Sequence, residues 1–560
     1  MPRRTSLVYA VLVLLRIFVA FTSTSLIHPD EHFQNPEVAA ATVFDYSGGD
    51  GPLKTWEWTS SAPCRSILPV FGSSGLAFAA LRQLLGPSPS ARALFVAERT
   101  IMLLFSFALD YLIHLTSKCR TAVVLFASSP VTFTFLLRPF SNSLETLALA
   151  CLFASTSTKD LFGSSHAPRL ALGAVLAIGV FIRVTFAAFA APLLLAFAWR
   201  LGFSTPDTGA FRRSILLRRG SLIALSFFLT ASLLALCDWI YFDLDLDLEI
   251  LTPLNLLRYN LSSDNLAEHG LHPRYLHLVA NWPMLFGVGL AILWCALRGG
   301  GASGEGNGGV WGRRVYLASF VVPTLLLSIQ PHQEPRFLVP LIVPLALLAP
   351  YAPFLASSRP SAKAPRRIFW TLWLVHSLLF TALFGYLHQG GVLPSLFAIN
   401  NALRDPESAL GAKAGVDIVF WRTFMPPRHL LVPPSSDLVT PPAVRVVDLA
   451  GAPLAEFFST LSVSLSASSA YPSSATFLVA PAYAVDALSL ACDSSDLLQP
   501  SAPVQSSQAA RNEFCLQPSF GGRTFGVHVD MDRLDDLFKA QGWGRTGVGV
   551  WQVEEKKKRA

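Results

Sequence analysis

Residues 7–37 read LVYAVLVLLRIFVAFTSTSLIHPDEHFQNPE. The first part, 7–27, has the roughly 20-residue apolar length that crosses a bilayer. The second part, His28-Pro29-Asp30-Glu31-His32-Phe33-Gln34-Asn35-Pro36-Glu37, places a carboxylate pair and two imidazoles at the mouth of the membrane. A chain this apolar gains little from charge beside a bilayer unless the charge is used, so this stretch is the first candidate for chemistry. Arg3 and Arg4 would suit the start of a signal peptide. No small-residue cleavage site follows and the apolar stretch is long, so the run reads as an uncleaved anchor.

Composition fixes the class. Of 560 residues 52% are hydrophobic, 14% are charged and 41 are Phe, too apolar for a soluble chain of this size. The balance of +7 does not point to nucleic acid, because Lys and Arg sit in short clusters between apolar runs, where membrane orientation explains them. Further runs fall near 67–85, 93–115, 120–137, 139–156, 170–200, 221–242, 276–297, 315–330, 336–354 and 369–387. The expected fold is therefore an all-α polytopic membrane protein of roughly ten to twelve spans over 1–388. Residues 389–560 are Ser- and Pro-rich with short apolar runs such as Thr476–Ala480, and read as a small mixed α/β soluble domain.

The loops orient the chain. Arg3 and Arg4 keep the N-terminus cytoplasmic, which sends the acidic loop 28–66 across. Arg200, Arg212, Arg213, Arg218 and Arg219 mark a cytoplasmic loop, and five crossings separate the two. The loop with Asp243, Asp245, Asp247, Glu249, Asp264 and Glu268 is then lumenal, and it carries the glycosylation triplet Asn260-Leu261-Ser262. The break Gln330–Arg336 shares the side of the opening cluster. The run 170–200, with Arg183 in its middle, fits either a re-entrant piece plus a helix or two crossings. The first choice puts the C-terminal domain in the lumen. The dilysine-like tail Lys556–Ala560 asks for the second. Gly299–Gly309 is a flexible connector. Cys492 and Cys515 are a candidate disulfide in an oxidising lumen, and no cysteine pair has zinc-site spacing.

Ionisable groups at membrane depth cost on the order of 2.5–3.5 kcal/mol each on insertion scales, which makes them functional candidates. Asp30 and Glu31 form the first group. Adjacent side chains point in different directions, so one is expected to act as a general base and the other to bind. Asp30 could instead cap a helix after Pro29. His28 and His32 are spaced like a metal pair but have no third ligand at helical spacing. Arg138-Pro139-Phe140-Ser141-Asn142-Ser143-Leu144-Glu145 is the second group, with an ordinary turn and an Arg138–Glu145 pair as plainer readings. His332, Gln333, Glu334 and Arg336 are the third. Arg suits phosphate, although an Arg at a helix end also snorkels. His388-Gln389-Gly390-Gly391 and Trp421-Arg422-Thr423-Phe424-Met425-Pro426-Pro427 lie outside the runs.

Taken in order, these five motifs resemble those of the endoplasmic-reticulum mannosyltransferases that use dolichyl-phosphate mannose, over roughly residues 7–430. His-Pro-Asp-Glu followed by Phe-Gln is most similar to the branch that adds the fourth mannose to the glycosylphosphatidylinositol precursor. The related third-mannose and N-glycan-precursor branches are the alternatives. One departure is Pro335, where the family has another residue. The resemblance implies a GT-C-like fold, a multi-pass endoplasmic-reticulum location, a lumenal site, and inverting α1,2 transfer with no metal and no other cofactor. It implies Asp30 as base with Glu31 in reserve. His28, His32, Gln34, Arg138, Asn142, Glu145, His332, Glu334, Arg336, His388 and Gln389 are expected to bind the dolichyl-phosphate-mannose donor and a glycolipid acceptor. A carrier of lipid-linked sugars or organic anions is the alternative of another class. It would need broken helices with charge near mid-membrane, whereas these clusters gather at one face.

Overall fold

The computed structural model describes residues 2–556 apart from 48, 158–164, 204–208, 244–250, 263–264, 266–269, 300–306, 358, 437–440, 470–472, 487, 489, 491, 493–513 and 536–545. Most of the acidic loop after 243, much of the glycine connector and the end of the basic tail thus lie outside the described residues. The chain divides into two compact units. One comprises Met1–Ala20, Lys54–Ser73 and Thr100–Phe380, the other Phe21–Leu53, Ser74–Arg99 and Thr381–Ala560.

The first unit is helical. Two of its apolar runs are broken into shorter helices. The run 120–137 is two short pieces bent by 51°; Ser129 caps the second by accepting from the Thr132 amide, and Pro130 takes the first helical position, where no donor is missed. The run 170–200 is a helix Ala167–Ile182, a break and a helix Phe186–Phe203. At the break Arg183 is extended, with φ −156° and ψ 133°. Among the described residues four helices, or five counting the bent pair, are both long and apolar enough to cross a membrane. The other apolar helices, including Ser6–Thr22 and Pro335–Tyr351, are shorter. Hydropathy alone had counted such runs as whole spans.

Buried polar ties hold these helices together. Arg16 pairs with Asp110, which also accepts from the Tyr9 hydroxyl at 2.7 Å. Asp238 accepts from Ser66 Oγ and Ile67 N, each at 2.9 Å, and from Thr252 Oγ1 at 2.8 Å. Each carboxylate satisfies groups from elements distant in sequence, as burial of charge demands.

The second unit is built on a five-stranded sheet: β1 Gly415–Phe420, β2 Ala443–Asp448, β3 Ser474–Pro481, β4 Phe514–Pro518 and β5 Val548–Glu555, in the order β2-β1-β3-β5-β4. β1 is parallel to β2 and β3, while β5 runs antiparallel to both β3 and β4. Val419, Leu478, Trp551 and Val553 face Phe457, Phe458 and Leu461 of the helix Leu454–Ser469 in one core. The expected α/β texture is thus present, and Cys492 is bonded to Cys515. The segment Phe21–Leu53 joins the sheet: Gly49 bridges Val444, Asp50 N donates to Val444 O at 2.7 Å, and Val446 N donates to the Asp50 carboxylate at 2.9 Å.

Candidate active site

In the second unit the opening motif forms a single helical turn, Asp30–Phe33, entered at Pro29 with no side-chain cap. The two acids part company there. The Glu31 carboxylate is fully buried and takes Arg99 at 2.6 Å. Asp30 keeps 28% of its side chain exposed and accepts from the amide of the buried Gln34 at 2.5 Å. The Asp30 amide donates to His28 Nδ1 at 3.1 Å. The accessible carboxylate of the pair is therefore Asp30.

Behind this turn lies a buried group. His429 Nδ1 meets Glu37 Oε1 at 2.8 Å, and the His429 amide donates to the same oxygen at 3.0 Å. Burial alone would lower the His429 pKa, but Glu37 and then Glu98 raise it to about 9. Glu98 Oε2 stands 3.6 Å from His429 Nε2, and Glu98 Oε1 stands 3.6 Å from His32 Nδ1. His32 is thus matched with Glu98 and His429, not with His28. The His28 ring instead lies 6.5 Å from that of Phe424.

Phe424 also gathers the two later motifs. Its amide donates to Gln389 Oε1 at 3.1 Å, and the His388 ring lies 5.3 Å from its own. Gln389 adopts φ +52° and donates its amide to Val529 O. Arg422, at φ +56°, stacks over Trp421 at 4.6 Å. The opening motif and two motifs more than 350 residues later thus meet around Phe424, beside the His28 that the Asp30 amide contacts. His528, wholly buried beside them, has its pKa pushed down to about 3, by burial first and then by the charge of His388.

The remaining expected residues lie in the first unit. Arg138 and Asn142 are buried where the bent pair meets the helix Ser141–Ser157. Glu145 does not pair with Arg138 as that motif suggested: it accepts from Thr185 Oγ1 at 2.6 Å and faces Arg183 Nε at 3.5 Å. Glu334 holds both Arg336 and, at 2.8 Å, His332 Nε2. Burial works against protonation of His332, but the hydrogen bond it donates to Glu334 wins and its pKa is raised. Pro335 opens the helix Pro335–Leu341 at its first position, so its missing donor leaves no gap. Gln333 pins the break by accepting from His277 N at 2.9 Å and donating to Arg274 O at 2.9 Å.

Here the sequence reading missed partners. The Phe337 ring has the Arg183 guanidinium 5.5 Å and the Arg336 guanidinium 5.6 Å from its centroid. Arg183 also feels the charge of Arg65, which binds Glu57 through two contacts of 2.7 Å. Arg65, Arg183 and Arg336 are thus each countered by a carboxylate, from Glu57, Glu145 and Glu334, in a group of three ion pairs. Beside it an apolar cavity of about 240 Å³ is lined by Leu68, Phe105, Leu144, Leu147, Ile178 and Ile182, near neighbours in sequence of Arg65, Glu145 and Arg183.

A model of the Alg9-like mannosyltransferase family matches residues 7–433. The chain belongs to the Alg9-like mannosyltransferase family. It is a glycosyltransferase embedded in the membrane through several apolar helices. Relatives in this family include the GPI alpha-1,2-mannosyltransferase 4 of Homo sapiens, 35% identical over 79% of this chain and 78% of that one. The GPI mannosyltransferase 4 of Emericella nidulans is 34% identical over 77% and 76%. Among solved structures, ArnT from Cupriavidus metallidurans bound to undecaprenyl phosphate matches with a TM-score of 0.52 and 12% identity, covering 98% of this chain and 97% of that one. At that identity the likeness is one of fold, and it is GT-C-like.

Proposed function

We propose that this Alg9-like mannosyltransferase moves mannose from dolichyl-phosphate mannose to the third mannose of a glycosylphosphatidylinositol precursor, by inverting α1,2 transfer at the lumenal face of the endoplasmic reticulum. The observation that carries the donor assignment is the Arg65, Arg183 and Arg336 group beside an apolar cavity, which matches a phosphate joined to a polyprenyl chain. The names of the relatives support the acceptor. The Cys492–Cys515 bond supports a lumenal C-terminal domain over 389–560. Ten to twelve spans over 1–388 suit the multi-pass reading.

Asp30 is the base: half-buried yet accessible, hydrogen-bonded to Gln34 and set beside His28. It takes the proton of an acceptor mannose hydroxyl as that oxygen attacks C1 of the donor sugar. The C1–O bond to phosphate breaks, its electron pair leaves on dolichyl phosphate, and the arginines offset the negative charge that develops there. Arg138, Asn142, His332, Glu334, His388 and Gln389 position the two lipids. Since the lipid brings its own leaving group, no nucleotide loop is required. Microsomes from cells lacking this step, supplied with dolichyl-phosphate mannose and acceptors bearing two or three mannoses, test the reading. Wild-type chain is expected to extend the three-mannose acceptor, with Asp30→Asn reducing the rate by about 10²–10⁴-fold, the scale of a lost general base. Preference for the two-mannose acceptor, or an active Asp30→Asn, would refute it.

A further inference from the structure

We infer that His32, Glu98 and His429 bind one first-row divalent metal ion, with Zn²⁺ best suited to the donor set, at a closed structural site behind the Asp30 turn. All three side chains are wholly buried, and one ligand atom from each lies within 4.8 Å of the others. They come from three segments: the turn Asp30–Phe33, the helix Ala91–Ser117 and the short helix Arg428–Leu431.

The spacing argues for an ion between them. Glu98 stands 3.6 Å from each imidazole, too far for a hydrogen bond. It is close to the roughly 3.3 Å separating two ligands on a tetrahedral zinc with bonds of about 2.0–2.1 Å. Packing does not prevent shorter contacts nearby, since Glu37 reaches His429 at 2.8 Å and Arg99 reaches Glu31 at 2.6 Å. The gap is confined to the centre. Both oxygens of Glu98, both nitrogens of His32 and Nε2 of His429 are buried with no hydrogen-bond partner, a concentration of unsatisfied groups that folded proteins avoid unless an ion or water fills the space.

The surroundings have the form that metal-bound histidines require. Glu37 accepts from Nδ1 of His429 and so turns the lone pair of Nε2 toward Glu98. Glu31, fixed by Arg99, stands 3.7 Å from Nε2 of His32 and leaves Nδ1 facing Glu98. Glu31, Glu37 and Glu98 against Arg99 leave two negative charges when both imidazoles are neutral, which one divalent cation cancels. The site is sealed from substrate, so the ion would hold the turn in place and take no part in the transfer. It therefore stands apart from the assignment of the reaction, and from the expectation that the reaction needs no metal.

The full-length protein, purified in detergent without chelator, decides the matter by elemental analysis and thermal unfolding. Wild type and His332→Gln are expected to carry about one equivalent of metal, and His32→Gln and His429→Gln less than a tenth. A strong chelator should lower the wild-type midpoint, and added Zn²⁺ should restore it. A metal-free wild type that melts cooperatively at the same temperature with chelator or Zn²⁺ would leave only a buried water or a shared proton there, and the inference fails. Equal metal in wild type and both variants overturns it as well. The wild-type measurements stand alone should a variant not fold.

Discussion

At the scale of single residues, burial separates groups that look alike in sequence. Asp30 and Glu31 are neighbours of the same chemistry, yet one is accessible and the other locked to Arg99. Arg183 appears in the sequence only as an obstacle to a span, but it is the partner of Glu145. Arg183→Gln strands that buried carboxylate, so thermal unfolding should show a loss of about 3 kcal/mol or more, with Glu145→Gln added to it recovering part. His332 offers a test in pH. Its pKa is raised above 6.5 in the folded chain, so its contribution is complete below pH 6.5 and fades as pH rises through the raised value. The gap in midpoint between wild type and His332→Gln should be widest near pH 5.5 and shrink toward pH 9. The short polar motifs were legible because they stand between apolar runs or just outside them. Glu98, Arg99 and His429 were not, because their partners lie as far as 392 residues away.

At the scale of elements, the glycines of the His388–Gly391 motif have a steric reason. A Cβ on Gly390 would lie 2.0 Å from Tyr386 O and 2.4 Å from Val527 O, both main-chain atoms that cannot yield cheaply. Gly390→Ala should therefore cost about 1–3 kcal/mol in unfolding measurements. Gly72→Ala, where nothing lies within 4 Å, should cost little. The Cys492–Cys515 bond closes a loop across 23 residues, and replacing both cysteines by Ser should lose about 2–4 kcal/mol and abolish any response of the midpoint to reductant. Hydropathy located the helical region and the change of texture after it. The charge and length of 170–200 pointed to an interruption at Arg183, but hydropathy did not reveal the break at Ser129-Pro130, because a capping serine and a proline cost an apolar average little. Strand order was equally hidden, since it depends on pairings across the chain rather than on any one run.

At the scale of the molecule, the second unit is assembled from three distant stretches of sequence. Sequence texture suggested that residues from 389 onward could stand as a domain. Within that unit, however, Glu37 receives His429 and Asp50 receives Val446. Expressed alone, 389–560 should therefore fail to melt cooperatively and be digested quickly by a protease. Adding the 21–53 and 74–99 segments in trans should restore resistance. The bridge from Gly49 and Asp50 to β2 has a further consequence, in time. Asp50 and Val446 lie 396 residues apart, so at ribosomal speeds of about 5–20 residues per second the first loop waits roughly 20–80 s for its partner. During that interval the stretch carrying Asp30 has no sheet to join, which makes it the natural client of a chaperone and the last part of the enzyme to mature.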